Sequence, residues 1–134
     1  MAEIPVGTKG QRCLLVTPEV TVDFLGPEEA RVLGTPHLIG YLEVTARDTV
    51  QPFLEPGYDT VGTHVDVRHL AATPIGMAVT FRAEVTAVNE RRITFRVEAF
   101  DEKEKIAEGT HERFIIHVGR FAAKVQAKRA EAAS

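Results

Sequence analysis

The run Thr35-Pro36-His37-Leu38-Ile39-Gly40-Tyr41-Leu42-Glu43-Val44-Thr45-Ala46-Arg47-Asp48-Thr49-Val50 carries the strongest helical pattern in the chain. It opens on a start signal. Thr35 is a candidate N-cap, and Pro36 suits the first helical position, where a missing N–H costs no intrahelical bond. Leu38, Ile39, Leu42, Ala46 and Val50 recur at helical spacing and form one apolar stripe. At about 100° per residue, Glu43 falls on the border of that stripe, beside Ile39, Ala46 and Val50. A carboxylate there is costly to bury unless it is paired or used. Pro52 disfavours a helical Gln51 and sets the end of the run.

Downstream of the helix the pattern alternates. Strands are predicted over residues 60–72, 78–88, 92–100 and 106–118, with turns at Thr73-Pro74-Ile75-Gly76, Asn89-Glu90-Arg91 and Asp101-Glu102-Lys103-Glu104. In the first, Val61, Thr63, Val65, Val67, His69 and Ala71 share one face, and His64, Asp66, Arg68 and Leu70 the other. The second turns Val79, Phe81, Ala83, Val85 and Ala87 inward, and the third Ile93, Phe95, Val97 and Ala99. Gly109 in the fourth suggests a bulge; His111 and Arg113 share one face there, and Glu112 the other.

Upstream, residues 1–10 read as an irregular lead-in. Residues 12–24 read as a strand that Pro18 confines to a sheet edge, with Cys13 as a small core residue. Residues 28–33 read as a short helical segment. The tail, residues 119–134, is rich in Ala and Lys and is expected to make one or two helical turns and then fray. One strand, one long helix and four meandering antiparallel strands make an α+β fold. One helix covers only one face of a five-stranded sheet, so a homodimer with sheets joined edge to edge is expected, with further pairing to a tetramer left open.

Composition narrows the function classes. The 134 residues suffice for one domain, 1–134, and a hydrophobic fraction of 44% suits a globular chain. A net charge of −3 offers no general attraction to nucleic acid or a membrane surface. The single cysteine excludes an internal disulfide and fits a reducing, cytoplasmic setting; no signal peptide or spanning segment is visible. There is no phosphate-binding glycine loop, no nucleophile elbow and no metal-ligand spacing; His64 and Asp66 lack a third ligand.

Three polar residues stand where apolar or purely structural ones are expected: Thr35 at the helix start, Glu43 at the edge of its stripe, and His69 in line with Val65 and Val67. A sheet wrapped around the helix would let Glu43 and His69 form an acid–base pair, each shifting the other's pKa. The helix N-terminus would add N–H groups suited to a polarised carbonyl oxygen. The bland readings stay open at this level. Thr35 can be a plain cap, Glu43 an exposed carboxylate paired with Arg47 at i+4, and His69 a satisfied core or interface histidine.

Several segments together resemble the fluoroacetyl-CoA thioesterase family of hotdog-fold proteins. They are Leu54-Glu55-Pro56-Gly57, residues 62–76 with Ala71-Ala72-Thr73-Pro74, Gly109-Thr110-His111-Glu112-Arg113, and Ile116-His117. Glu43 eight residues after Thr35, and His69 another 26 on, match the spacing of that family's catalytic triad. The resemblance covers about residues 10–128. It implies a long helix wrapped by a curved antiparallel sheet, dimerising into a continuous sheet with active sites at the interface. By carry-over, Thr35, Glu43 and His69 are the catalytic set, and Gly62 sits near the thioester carbonyl. The implied reaction is hydrolysis of a short-chain acyl-CoA to acid and CoA, with no metal or other cofactor. The relative acting on fluoroacetyl-CoA has aromatic lid residues before its Thr; residues 26–34 here contain none, which implies a different acyl group. Arg120, Lys124 and Lys128 are candidates for the CoA phosphates, against the simpler reading of a solvated basic tail. The competing functions are a hotdog enoyl-CoA hydratase and a non-catalytic acyl-CoA binding module.

Overall fold

A computed structural model of the chain describes residues 3–133. Its central helix, α1, spans Thr35–Val50 and continues into a 3₁₀ turn at Gln51–Phe53. Leu38, Leu42, Ala46 and Val50 are buried as the stripe predicts, and Ile39 packs at its margin. Thr45 and Thr49 are buried too. Their hydroxyls donate back to the carbonyls of Tyr41 (2.7 Å) and Thr45 (2.6 Å), which satisfies them without an outside partner. The expected cap is displaced by one residue. Gly34 is the N-cap, its carbonyl taking the first helical N–H from Leu38 at 3.0 Å, and no side chain caps the helix. That leaves the Thr35 hydroxyl for another use.

Five antiparallel strands curve around α1: β1 (Lys9–Leu15), β4 (Tyr58–His69), β5 (Ala78–Asn89), β6 (Arg92–Phe100) and β7 (Lys105–His117). A separate two-stranded ribbon pairs β2 (Thr21–Val22) with β3 (Val32–Leu33). The main sheet runs β1-β5-β6-β7-β4, and α1 packs on β1, β4, β5 and β6. So only the last three strands form a meander. The chain crosses the sheet end after β4, which places β4 at an edge beside β7 rather than beside β5. Pro18 behaves as expected: β1 stops short of it and is the opposite edge strand.

Two bulges change which side chains face the helix. Between Val85 and Ala87 the β5–β6 register shifts, so Ala87 is exposed and Val88 packs on the core instead. Between Gly62 and His64 the β4–β7 register shifts as well, leaving Thr63 the extra residue. Strict alternation would put Gly62 and His69, seven residues apart, on opposite faces. The inserted residue brings both to the helix side. Gly109, by contrast, is no bulge. It pairs in register with Val67 and Val97, and a Cβ there would collide with the backbone carbonyl of Asp66.

Three further expectations are corrected. Cys13 is exposed on edge strand β1, its Sγ 3.5 Å from Thr80 Oγ1. Residues 28–33 form a 3₁₀ turn at Glu28–Ala30 followed by β3, not a helix. The tail does not fray after two turns: α2 runs Val118–Ala133 with no residue buried. Strong helix formers without an interrupting proline carry it by propensity.

Candidate active site

The contact between α1 and β4 carries polar groups at two ends. At the first, Thr35 Oγ1 and His69 Nδ1 lie 2.8 Å apart. The hydroxyl freed by the shifted cap therefore holds the imidazole. His69 Nε2 is buried and has no hydrogen-bond partner among the described residues. Burial pushes the His69 pKa below its ordinary value, so the ring is held neutral.

The second end lies eight residues along the helix, about 12 Å at 1.5 Å per residue. Here Glu43 Oε2 stands 3.5 Å from Arg113 Nη1. Gly62 faces the same spot, and a Cβ on it would collide with Glu43 Oε2 and approach His111 Cε1 to 3.2 Å. Register explains the convergence, since Gly62 pairs directly with Arg113 across β4 and β7. The arginine is buried and tightly held. Nε donates to Thr60 Oγ1 (2.7 Å) and Nη2 to the Thr60 carbonyl (2.8 Å). Beyond it, Arg47 grips Asp59 through two bonds, Nε–Oδ1 at 3.1 Å and Nη2–Oδ2 at 2.6 Å. That guanidinium holds the Asp59 carboxyl below its ordinary pKa. Glu43, Arg113, Arg47, Asp59 and Thr60 border an open cleft of about 380 Å³.

Thr35 thus meets His69, and Glu43 meets Gly62, but Glu43 takes Arg113 and not His69 as its partner within the chain. Nor does Glu43 pair with Arg47 at i+4, because Arg47 is taken by Asp59 and Asp48. The residues that sequence reasoning passed over are Arg113 and His111. Their signal was present: both share the inward parity of β7 with Ala107 and Ile115, where buried charge needs a reason. His37 and His64 are exposed.

The arrangement offers a carboxylate aimed by a buried cation, and a neutral imidazole with an uncommitted nitrogen. Residues 26–34, ahead of Thr35, supply no aromatic ring. They are pinned by Arg31, which donates to Thr21 Oγ1 (3.1 Å) and the Pro18 carbonyl (3.0 Å), while Phe24 just outside the segment is 79% exposed.

Residues 16–119 match the fluoroacetyl-CoA-specific thioesterase family, FlK. A fluoroacetyl-CoA thioesterase of Streptantibioticus cattleyicolor is 40% identical over 129 residues, covering 92% of this chain and 93% of that protein. A solved structure of the fluoroacetyl-CoA thioesterase FlK superposes with a TM-score of 0.86 at 39% identity, over 94% of this chain and 98% of that one. A hot-dog-like protein from Thermanaerovibrio acidaminovorans shares the fold, with a TM-score of 0.84 at 24% identity over 92% of each chain.

Proposed function

The chain belongs to the fluoroacetyl-CoA-specific thioesterase family of hotdog-fold acyl-CoA thioesterases, and from that membership we propose a division of labour among its own residues. The reaction is hydrolysis of a short-chain acyl-CoA to free acid and CoA. Glu43 is the acting carboxylate, as general base toward water or as nucleophile on the thioester carbon. The observation that carries this reading is the Arg113 guanidinium, buried against Glu43 at 3.5 Å, beside Gly62 in an open cleft. The guanidinium holds the carboxylate beside Gly62, where either role needs it. The Gly62 N–H, with the start of α1 from a second protomer alongside it, supplies donors for the oxyanion that develops on the carbonyl. His69, oriented by Thr35, keeps Nε2 uncommitted and supports proton transfer to the leaving thiolate. No cofactor is called for beyond the CoA carried by the substrate.

The 12 Å between the two ends supports a dimeric site. Edge strand β4 has no outer partner among the described residues, and its Val65 is 39% exposed. Antiparallel pairing of two β4 edges would run the His69 end of one protomer alongside the Gly62 end of its partner, in a homodimer or a pair of them. The unadorned, pinned lid of residues 26–34 supports an acyl group other than fluoroacetyl. Among the described residues no helix is long and apolar enough to cross a membrane; the cytoplasm is the proposed location.

Thiol release measured across a panel of acyl-CoAs tests the reading. Wild type should prefer a short acyl chain, and Glu43→Ala or His69→Ala should lose about 10²- to 10⁴-fold in kcat/KM. Unchanged turnover in either variant would remove that residue from the mechanism. Single turnover in ¹⁸O-water identifies a nucleophilic Glu43 if label enters its carboxylate, which happens when water opens the mixed anhydride at the Glu43 carbonyl carbon.

A further inference from the structure

We propose that His111, neutral and with its proton on Nδ1, is a positioning residue that holds Arg113 on Glu43. The proposal rests on the reading of Glu43 as the acting carboxylate and extends it to a side chain that touches no substrate.

Hydrogen-bond polarity assigns the tautomer. His111 Nδ1 lies 2.7 Å from the His64 carbonyl oxygen, which can only accept, so the proton sits on Nδ1. In a neutral ring Nε2 is then a lone pair. It lies 3.3 Å from Arg113 Nη1, which can only donate. The ring is 1% exposed and stacks on Phe95 with centroids 5.9 Å apart, so its nitrogens find their partners in the protein and not in solvent.

The consequence falls on one nitrogen. Thr60 occupies Nε and Nη2 of Arg113, and Nη1 alone is shared between His111 Nε2 and Glu43 Oε2. Nη1 therefore points where the imidazole and the carboxylate jointly hold it. Protonating His111 would set an Nε2–H against the Nη1 hydrogens and a second positive charge beside the guanidinium. The ionisable groups facing the ring are Arg113 on its own strand, Glu43 from α1 and His64 from β4; β6 presents the uncharged Phe95. Burial, then Arg113 and His64, oppose the protonated form, the hydrogen bond to the His64 carbonyl and the Glu43 charge favour it, and the net pKa lies below the ordinary histidine value.

Two measurements test this. Long-range ¹H–¹⁵N spectra of the wild-type imidazoles should show His111 as the Nδ1–H tautomer, unchanged as the pH falls through 6.5, where an ordinary histidine titrates. An Nε2–H tautomer, or titration at the ordinary value, overturns the proposal. The second compares His111→Gln, whose amide oxygen can replace Nε2 as acceptor, with His111→Leu, which cannot. Leucine should lower kcat by about tenfold or more with KM within about threefold, and glutamine should recover most of that loss, because misplacing a catalytic group by about 1 Å costs up to about 10²-fold. Equal loss in both variants, or a folded His111→Leu enzyme with wild-type kcat, overturns it. If Glu43→Ala keeps full turnover, the reading of Glu43 fails together with the catalytic role of His111, while the tautomer stands. If Glu43→Ala is inactive and His111→Leu is not, the His111 proposal alone fails.

Discussion

The two ends of the α1–β4 contact are built on opposite principles. At the Glu43 end charge is fixed: a buried arginine is held by Thr60, His111 and the carboxylate itself. At the His69 end charge is avoided: burial lowers the imidazole pKa, Nδ1 meets the Thr35 hydroxyl, and Nε2 is buried without a partner among the described residues. A buried unpaired polar atom costs about 1–3 kcal/mol, so the second end stays poised for a partner that the first already has. The contrast sets a fixed ion pair at the Glu43 end against an unpaired imidazole nitrogen at the His69 end.

The contrast breaks most severely at Arg113. Arg113→Met strips the cation from Glu43 and leaves the Thr60 and His111 acceptors without their donor. Expected are a loss of about 10²-fold or more in kcat/KM and of about 3 kcal/mol in urea-monitored stability, the low end for a broken buried pair because Glu43 is 39% exposed. A stable, active Arg113→Met enzyme would mean that the charge at this end is incidental.

Gly62→Ala should separate function from fold at the same end. The new methyl displaces the flexible tip of Glu43, not the backbone. Turnover should drop by about tenfold or more while stability moves by less than about 1 kcal/mol. A shift in melting temperature large enough to explain the lost activity would reverse that view.

Thr35→Val probes the other end. Because Thr35 caps nothing, losing its hydroxyl should spare the helix and cost only the bond to His69, about 1 kcal/mol, or some fivefold in rate. Circular dichroism that melted markedly earlier would restore Thr35 to a capping role.

The smallest effect is shared by both ends. His69 and His111 have pKa values lowered from an ordinary 6.5, burial being the largest cause. Below pH 6.5 the unfolded chain takes up protons that the folded chain refuses, so stability falls as the pH drops below that point and levels off above it. Denaturation midpoints between pH 7.5 and 5.5 should show this decline. A flat profile would mean that neither ring is held neutral by the fold.

Local pattern by itself determined the length and apolar stripe of α1, the positions of β5 and β6, the edge character that Pro18 imposes on β1, and the oddity of Glu43 and His69. Those features rest on periodicity and on the conformational habits of proline and glycine, which act over a few residues. What only the tertiary structure decided depends on partners distant in sequence. The pairing of β4 with β7 sets Gly62 across from Arg113, 51 residues on. The bulge at Thr63 turns Gly62 and His69 to the same side. The Thr35 hydroxyl goes to His69, 34 residues away, instead of to its own helix. Arg113 and His111 were readable as inward-facing but not as a pair serving Glu43, because strand parity tells which face a side chain takes and not what it meets there. Their meaning appears only once the helix lies in the sheet and burial obliges every charge to find a partner.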